Sequence, residues 1–353
     1  MTTPPRLFCS KPFKWFEVSR GEHEGDVFLC CPSWLGVSVG NLTHQDVDEV
    51  WNSANAQEIR LSILDGSFRY CSRQRCPFLQ TVSGPVQRVE DVTDPEMLAV
   101  LRANRTVLSH GPREINCAYD QSCNLSCPTC RTALIVDVAG KDRILGIEAK
   151  LRRHALAEAE LLYITGSGDP FGSPFFRQWL RTMRRAEMPR LKTIRLHTNG
   201  LLWTPSMWTT IDPQVRELIR ETEISIDAAT PDTYAINRRG GSFAVLLRNL
   251  EFIATLRARG PLSWLGISMV VQDNNYEEMP AFVELGRRFG VDTVSFCRLV
   301  DWGTFPDAEL QRRSVDVPTH PRHHAFLELL RHPSLRDPVV DIGNLTDLLA
   351  ARP

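Results

Sequence analysis

Three cysteines fall within eight residues, as Cys123-Asn-Leu-Ser-Cys127-Pro-Thr-Cys130. Three thiolates on one short loop can bind three irons of a [4Fe–4S] cube and leave the fourth iron open to a non-protein ligand, whereas a fully ligated cluster only carries electrons. The other cysteines are also grouped. Cys9, Cys30, Cys31, Cys71 and Cys76 lie in the first eighty residues, Cys117 stands just ahead of the triplet, and Cys297 is alone. In a reducing compartment such groups are more often metal ligands or catalytic groups than disulfides. Two metal sites are therefore expected.

Composition narrows the class. Lys and Arg number 41 and Asp and Glu 42, a net charge of −1 that argues against a broad nucleic-acid-binding face. No apolar run approaches a membrane span, and the start Met1-Thr-Thr-Pro-Pro-Arg6 lacks the apolar stretch of a secretory signal. A cytoplasmic protein with no membrane and no nucleic-acid partner is expected. At 353 residues, two domains and a core that needs no disulfide are expected.

Along the chain, residues 1–80 read as a small cysteine-rich unit with little core of its own. It has short strands near Trp15–Val18 and Val27–Leu29, a helix capped by Thr43 running through Trp51, and a helix capped by Ser53 with Gly66 after its end. Such a unit needs a staple, which four cysteines can hold. Residues 81–112 read as a connector with a helix from Asp94-Pro95-Glu96 to Asn104. Residues 113–305 alternate strand and helix. Strands are expected at Glu114–Tyr119, Leu161–Thr165, Thr193–His197, Glu223–Asp227, Leu265–Val271 and Thr293–Leu299, with helices near 142–158, 174–187, 205–220, 242–258 and 277–289. Six β/α units with short apolar strands predict an α/β fold with a parallel sheet, doubly wound or curved into a partial (β/α)6 TIM-like barrel of parallel strands, the latter preferred. Residues 306–353 read as a helical cover.

The triplet follows the first of these strands, and here the sequence resembles the radical S-adenosylmethionine (SAM) superfamily over about residues 113–300. Gly166-Ser167-Gly168-Asp169 after the second strand is similar to the family's glycine-rich segment for the methionine amino group. His197-Thr-Asn199-Gly200 after the third is also a familiar ending. The resemblance implies that Ser225, Asp227 and Arg239 contact the SAM ribose and carboxylate, and that Gln272 and Asn274 face ribose hydroxyls. Thr129 stands where many members have an aromatic residue before the third cysteine, so adenine stacking is lost there. A zinc knuckle of Cys117, Cys123, Cys127 and Cys130 is the bland alternative, but it explains none of the downstream segments.

In the amino-terminal region, Cys30-Cys31-Pro-Ser-Trp34, Gly40-Asn41-Leu42, Val50-Trp51-Asn52, Ile59-Arg60 and Cys71-x4-Cys76-Pro77 follow in the order of a SPASM or twitch type auxiliary iron–sulfur domain, placed here before the barrel. Cys9, Cys30, Cys71 and Cys76 then fit one further [4Fe–4S] cluster. The resemblance favours Cys30 over Cys31 as the ligand, and neighbours on a strand point to opposite faces, so both are not expected on one cluster. Structural zinc is the alternative.

The resemblance implies reductive cleavage of SAM to a 5′-deoxyadenosyl radical and hydrogen abstraction from a peptide or small natural product, with flavodoxin or ferredoxin as reductant. The second cluster would assist oxidation or crosslinking. A redox-neutral epimerase would need a hydrogen donor, and Cys297 in Val294-Ser-Phe-Cys297-Arg298 is the candidate. A leader-binding domain is not expected ahead of Cys9, which weakens the peptide reading without removing it. Trp203, Trp208, Trp264 and Trp302 are candidate cleft residues with packing as the commoner role, and His320, His323 and His324 read as a solvated helix start rather than a metal site. A non-catalytic iron–sulfur or zinc scaffold is the reading of a different class.

Overall fold

The computed structural model describes residues 6–20 and 22–350; the Met1–Pro5 start read for a signal lies outside them. Twelve strands are described: β1 Leu7–Cys9, β2 Trp15–Arg20, β3 Glu24–Phe28, β4 Gly40–Asn41, β5 Val86–Arg88, β6 Glu114–Cys117, β7 Leu161–Ile164, β8 Thr193–Thr198, β9 Ile219–Ser225, β10 Trp264–Val271, β11 Thr293–Arg298 and β12 Val340–Asp341. The chain divides into two compact units. One contains residues 1–120, 137–167 and 183–194, the other 121–136, 168–182 and 195–353. This division cuts across the expected domains, because the first two strands of the expected barrel, β6 and β7, cluster with the amino-terminal segment.

Strand pairing explains why. In the first unit β2 lies parallel to β6, from Trp15 opposite Glu114 to Val18 opposite Cys117, and β6 lies parallel to β7. β3 and β4 continue antiparallel. The amino-terminal segment thus covers a sheet edge that would otherwise be exposed. It also corrects the expectation of a unit with little core, since Phe8, Phe13, Phe16, Val18, Val27 and Ile59 are fully buried. Ser53 caps the helix Ala54–Leu64 through the Ala56 N–H at 3.2 Å. Thr43 does not cap the preceding helix, Val47–Trp51; Asp46 and Glu49 form its start, with the Asp46 N–H donating to Glu49 at 2.9 Å. Asp94 caps Pro95–Ala103 as expected.

At the centre of this unit Arg60 is fully buried. Its guanidinium donates to the carbonyls of Pro12 (3.0 Å), Thr106 (2.9 Å) and Trp51 (2.8 Å) and to Asn52 Oδ1 (3.0 Å). It also lies 4.4 Å over the Trp51 ring. One side chain thereby ties four segments together, and burial draws its pKa down to about 9.

In the second unit β9, β10, β11 and β12 pair in parallel, and β8 neighbours β9. The strands alternate cleanly. Ile224, Ile267, Val294 and Phe296 are buried on one face, where Gly286 of the helix Met279–Phe289 comes so close to β11 that a Cβ would stand 2.3 Å from Val294. The expected helix at 205–220 is two short ones, Pro205–Thr209 and Pro213–Arg216, because Asp212 caps a new start at Pro213. The fold is mixed α/β with mostly parallel strands, and no closed barrel forms among the described residues. No described helix is long and apolar enough to cross a membrane.

Candidate functional site

The triplet loop is held at both ends within the second unit. The Cys123 N–H donates to Ile135 O (2.9 Å), and the N–H groups of Cys130 and Arg131 both reach Cys127 O at 3.0 Å, a tight turn. Arg131 donates to Gln121 O (2.6 Å) and to Cys130 Sγ (3.3 Å). Cys123 and Cys127 are buried, while Cys130 is exposed. Burial pushes the Cys123 thiol up to about 12 and raises Cys127 as well. Thiolates here need a compensating cation, which iron bound by Cys123, Cys127 and Cys130 would supply.

Around the loop, Asn199 Nδ2 donates to Asn124 Oδ1 at 3.0 Å and reaches Cys123 Sγ at 3.6 Å. Asp169 has a different role from the ammonium contact read from the sequence. Its Oδ1 accepts from the N–H groups of Phe171 (2.9 Å) and Gly172 (2.7 Å), and its Oδ2 from Thr198 Oγ1 (2.7 Å) and the Asn199 N–H (2.8 Å). Four bonds use the acceptor capacity of a carboxylate, so Asp169 is a clamp. Gly172 is the glycine the loop requires, because a Cβ there would stand 2.6 Å from Asn124. At Gly166 a Cβ would find ordinary contact, 3.5 Å from Ala118, and Ser167 Oγ donates to Ala118 O at 2.6 Å in the first unit. Gly168 lies with Asp169 in the second unit.

Asp227, two residues past the end of β9, is in the left-handed region at φ 61°, buried, with Oδ1 accepting from the Val270 N–H at 2.7 Å. Such strain persists where the surroundings enforce it. Its ion partner is Arg238 at 2.8 Å, and Arg238 also donates toward Cys127 Sγ at 3.7 Å. The arginine expected at the site, Arg239, is exposed and bonds Ser126 Oγ (3.1 Å) and Thr132 O (3.2 Å) instead. The signal missed in the sequence is helical phase: Arg238 lies four residues after buried Tyr234, on the same face. Gln272 Oε1 accepts from Arg313 at 3.0 Å, and Asn274 Nδ2 donates to Asn237 at 2.8 Å. Ser225 shares a 2.7 Å hydrogen bond with His197, a residue the sequence reading quoted but gave no role.

Several buried polar atoms here have no hydrogen-bond partner among the described residues: Arg238 Nε, Tyr234 OH, Gln272 Nε2 and Asn274 Oδ1. Orphans of this kind are costly unless a ligand satisfies them. Their mix of donors and acceptors beside three thiols fits a cluster with a polar, zwitterionic ligand such as SAM.

In the first unit Cys9, Cys30, Cys71 and Cys76 line one small cavity with Lys11, Trp34 and Phe68. Burial pushes Cys9 up to about 12 and Cys71 to about 11. No three His, Cys, Asp or Glu among the described residues are grouped as for a single metal ion. A four-iron cube spreads its cysteine sulfurs wider than a tetrahedral zinc, whose Zn–S bonds are about 2.3 Å. Residues 9–77 match the SPASM family, an iron–sulfur cluster-binding domain.

The amino-terminal region is a SPASM-type iron–sulfur domain.

All four cavity cysteines fall in the SPASM-type match, and Cys31, which is absent from the cavity lining, is the neighbour left over. No curated protein matches the chain. Solved structures to which it is similar include TYW1 with a lysine-pyruvate adduct bound (18% identity over 53% of this chain and 64% of that one, TM-score 0.34). Native anSMEcpe with bound AdoMet and Kp18Cys peptide matches at 19% over 54% of this chain and 51% of that one, TM-score 0.38. Streptococcus suis SuiB bound to S-adenosylmethionine matches at 14% over 72% of this chain and 53% of that one, TM-score 0.38. The chain thus spans between about half and two thirds of those chains.

Other sequence candidates take structural roles. Cys117 is fully buried on β6. Trp203 packs on Phe171 and Trp208, with ring centroids 5.1 and 5.8 Å apart, and Trp302 is exposed. Of the three histidines expected at a solvated helix start, His324 is exposed, His320 is half-buried and bonds Arg312 O at 3.0 Å, and His323 is buried and bonds Val315 O at 3.1 Å.

Proposed function

We propose that this chain is a radical SAM enzyme with one auxiliary [4Fe–4S] cluster in its SPASM-type domain, oxidising or crosslinking a peptide or small natural product, with flavodoxin or ferredoxin as reductant. The observation that carries the reading is the buried Cys127–Arg238–Asp227 arrangement beside the triplet loop, with unpartnered polar atoms on Arg238, Tyr234, Gln272 and Asn274. When bound, the cluster and SAM supply a carbon radical able to take hydrogen from an unactivated carbon. The chain's own residues position and insulate. Asp169 and Asn199 fix the loop, Arg238 places a cation beside Cys127, and Gln272 and Asn274 offer a donor and an acceptor to the ligand. A non-catalytic scaffold has no use for such orphans.

Cys297 supports a second reading, a redox-neutral epimerase. Its thiol alternates with buried Phe296 on β11, and burial pushes it up to about 12, so it stays protonated at neutral pH as a hydrogen donor must. Deuterium wash-in from solvent that disappears in Cys297→Ala supports that reading; turnover unchanged in Cys297→Ala removes it.

The deciding experiment is iron per chain after anaerobic reconstitution, with SAM cleavage under reduction, for wild type and Cys123/Cys127/Cys130→Ala. About eight irons falling to about four, with cleavage lost, is expected. About four falling to none removes the auxiliary cluster and its electron-accepting role. No iron, or iron without SAM cleavage, overturns the enzyme reading.

A further inference from the structure

A parallel sheet is normally apolar on both faces, because both are covered. The second unit departs from this on one face of β8–β11. Opposite the buried Ile and Val rows stand half-buried Arg195 and His197 on β8, Glu221, Glu223 and Ser225 on β9, Ser268 on β10, and Ser295 and Cys297 on β11. The register aligns them, since Ser225 pairs with Ser268 and Ser268 with Ser295, a row of hydroxyls across three strands. His197 joins this row through Ser225 at 2.7 Å. Selection for stability alone would place β-branched apolar residues at such positions.

The face also has a closed end. Gly266 lies in the row below, between Glu223 and Thr293. The Trp264 indole folds over it so closely that a Cβ on Gly266 would stand 2.5 Å from the ring. Trp264 Nε1 donates to Thr293 Oγ1 at 3.1 Å, and Arg195 stacks on the ring at 4.7 Å. The indole is thus a floor. At the other end of the strands, Asp227 and its partner Arg238 lead to Cys127.

Charge decides the occupant. Among the described residues, Glu221 and Glu223 share the Arg195 guanidinium, at 3.7 and 3.6 Å, beyond hydrogen-bond length. His197 Nε2 stands 4.0 Å from Glu223. Glu223, with its side chain 20% exposed, accepts no side-chain hydrogen bond among the described residues, so it keeps its acceptor capacity. We propose that this face is the substrate pocket of the enzyme proposed above and takes a protonated amine, with Glu223 as its charge partner, Trp264 as the floor, and the His197–Ser225–Ser268 chain holding a neighbouring hydroxyl or amide. The inference rests on that reading for the identity of the reaction, but not for the binding.

The test is ligand-observed NMR on the reconstituted holoenzyme with three probes. N-acetyl-lysine N-methylamide represents a peptide amine, glucosamine an amino sugar, and N-acetyl-glutamate N-methylamide an anion of similar size. At least one amine is expected to bind and the anion not. Glu223→Gln, which keeps shape and loses charge, is expected to weaken the amine about tenfold or more. Which amine binds distinguishes peptide from sugar. The proposal is overturned if neither amine binds, if the anion binds as well as the better amine, or if folded Glu223→Gln, checked by its unfolding midpoint, binds the amine unchanged. SAM cleavage by the wild-type sample is read separately, so loss of the enzyme reading and loss of the amine pocket give different results.

Discussion

Replacing Arg60 by Met tests whether one buried cation organises the SPASM-type domain. The wild-type guanidinium makes four hydrogen bonds, to Pro12, Trp51, Thr106 and Asn52. At about 1.5 kcal/mol for a bond to a charged group, their loss removes about 6 kcal/mol. Returning a buried cation to water recovers part of this, roughly 2–3 kcal/mol, in keeping with a pKa drawn down to about 9. Methionine fills much of the aliphatic volume, so little cavity cost is added. The expected net loss is about 3–4 kcal/mol, a large share of the roughly 5–15 kcal/mol that holds a domain folded. Pro12, one of the four partners, also lines the four-cysteine cavity, so the variant should retain less iron in the first unit as well. Urea unfolding followed by circular dichroism, with iron counted on the same sample, measures both. A transition within about 1 kcal/mol of wild type with full iron would refute the reasoning.

Arg238→Gln should cost about 3–5 kcal/mol by leaving Asp227 buried without its partner and should depress SAM cleavage at least tenfold, while Arg239→Gln, at an exposed side chain, should change stability by about 0.5 kcal/mol or less; urea titration and a cleavage assay on both variants check the order. Cys30→Ala should lose the amino-terminal cluster and Cys31→Ala should keep it, because only Cys30 lines the cavity; iron analysis decides. Burial raises the Glu17 pKa, opposed by side-chain hydrogen bonds from Asn116 and Trp15. The folded state therefore favours the protonated carboxyl, and Glu17's stability contribution is present below the ordinary carboxylate range and lost as pH rises through the raised value. Glu17→Gln should raise the unfolding midpoint at pH 7, with the gain shrinking toward pH 4; an equal shift at both values would contradict this.

What was legible in the sequence was local. The triplet spacing, the β/α alternation, the caps at Ser53 and Asp94 and the SPASM-like order of short segments all depend on residues near one another in the chain, and strands β7, β8, β10 and β11 fall within one residue of their expected bounds and β6 within two. Pairing was not legible. That β2 adds to β6 in parallel, bringing two expected barrel strands into the amino-terminal unit, is a contact between segments about a hundred residues apart. Orientation was not legible either. Adjacent arginines differ in role because the helix Pro231–Asn237 ends with Arg238 turned to Asp227 and Cys127 and Arg239 turned out. Asp169 reads as a ligand for an ammonium until four main-chain and side-chain donors are seen around it. The half-exposed polar face of β8–β11 is written in the strands as simple alternation, but which face is covered depends on where Gly286 lets a helix press against Val294. Sequence by itself determined which residues this protein could use for iron and ligand chemistry, since thiols and carboxylates are properties of side chains. Tertiary structure decided which of them are buried, paired or left open, because desolvation and hydrogen bonding depend on neighbours that only folding brings together.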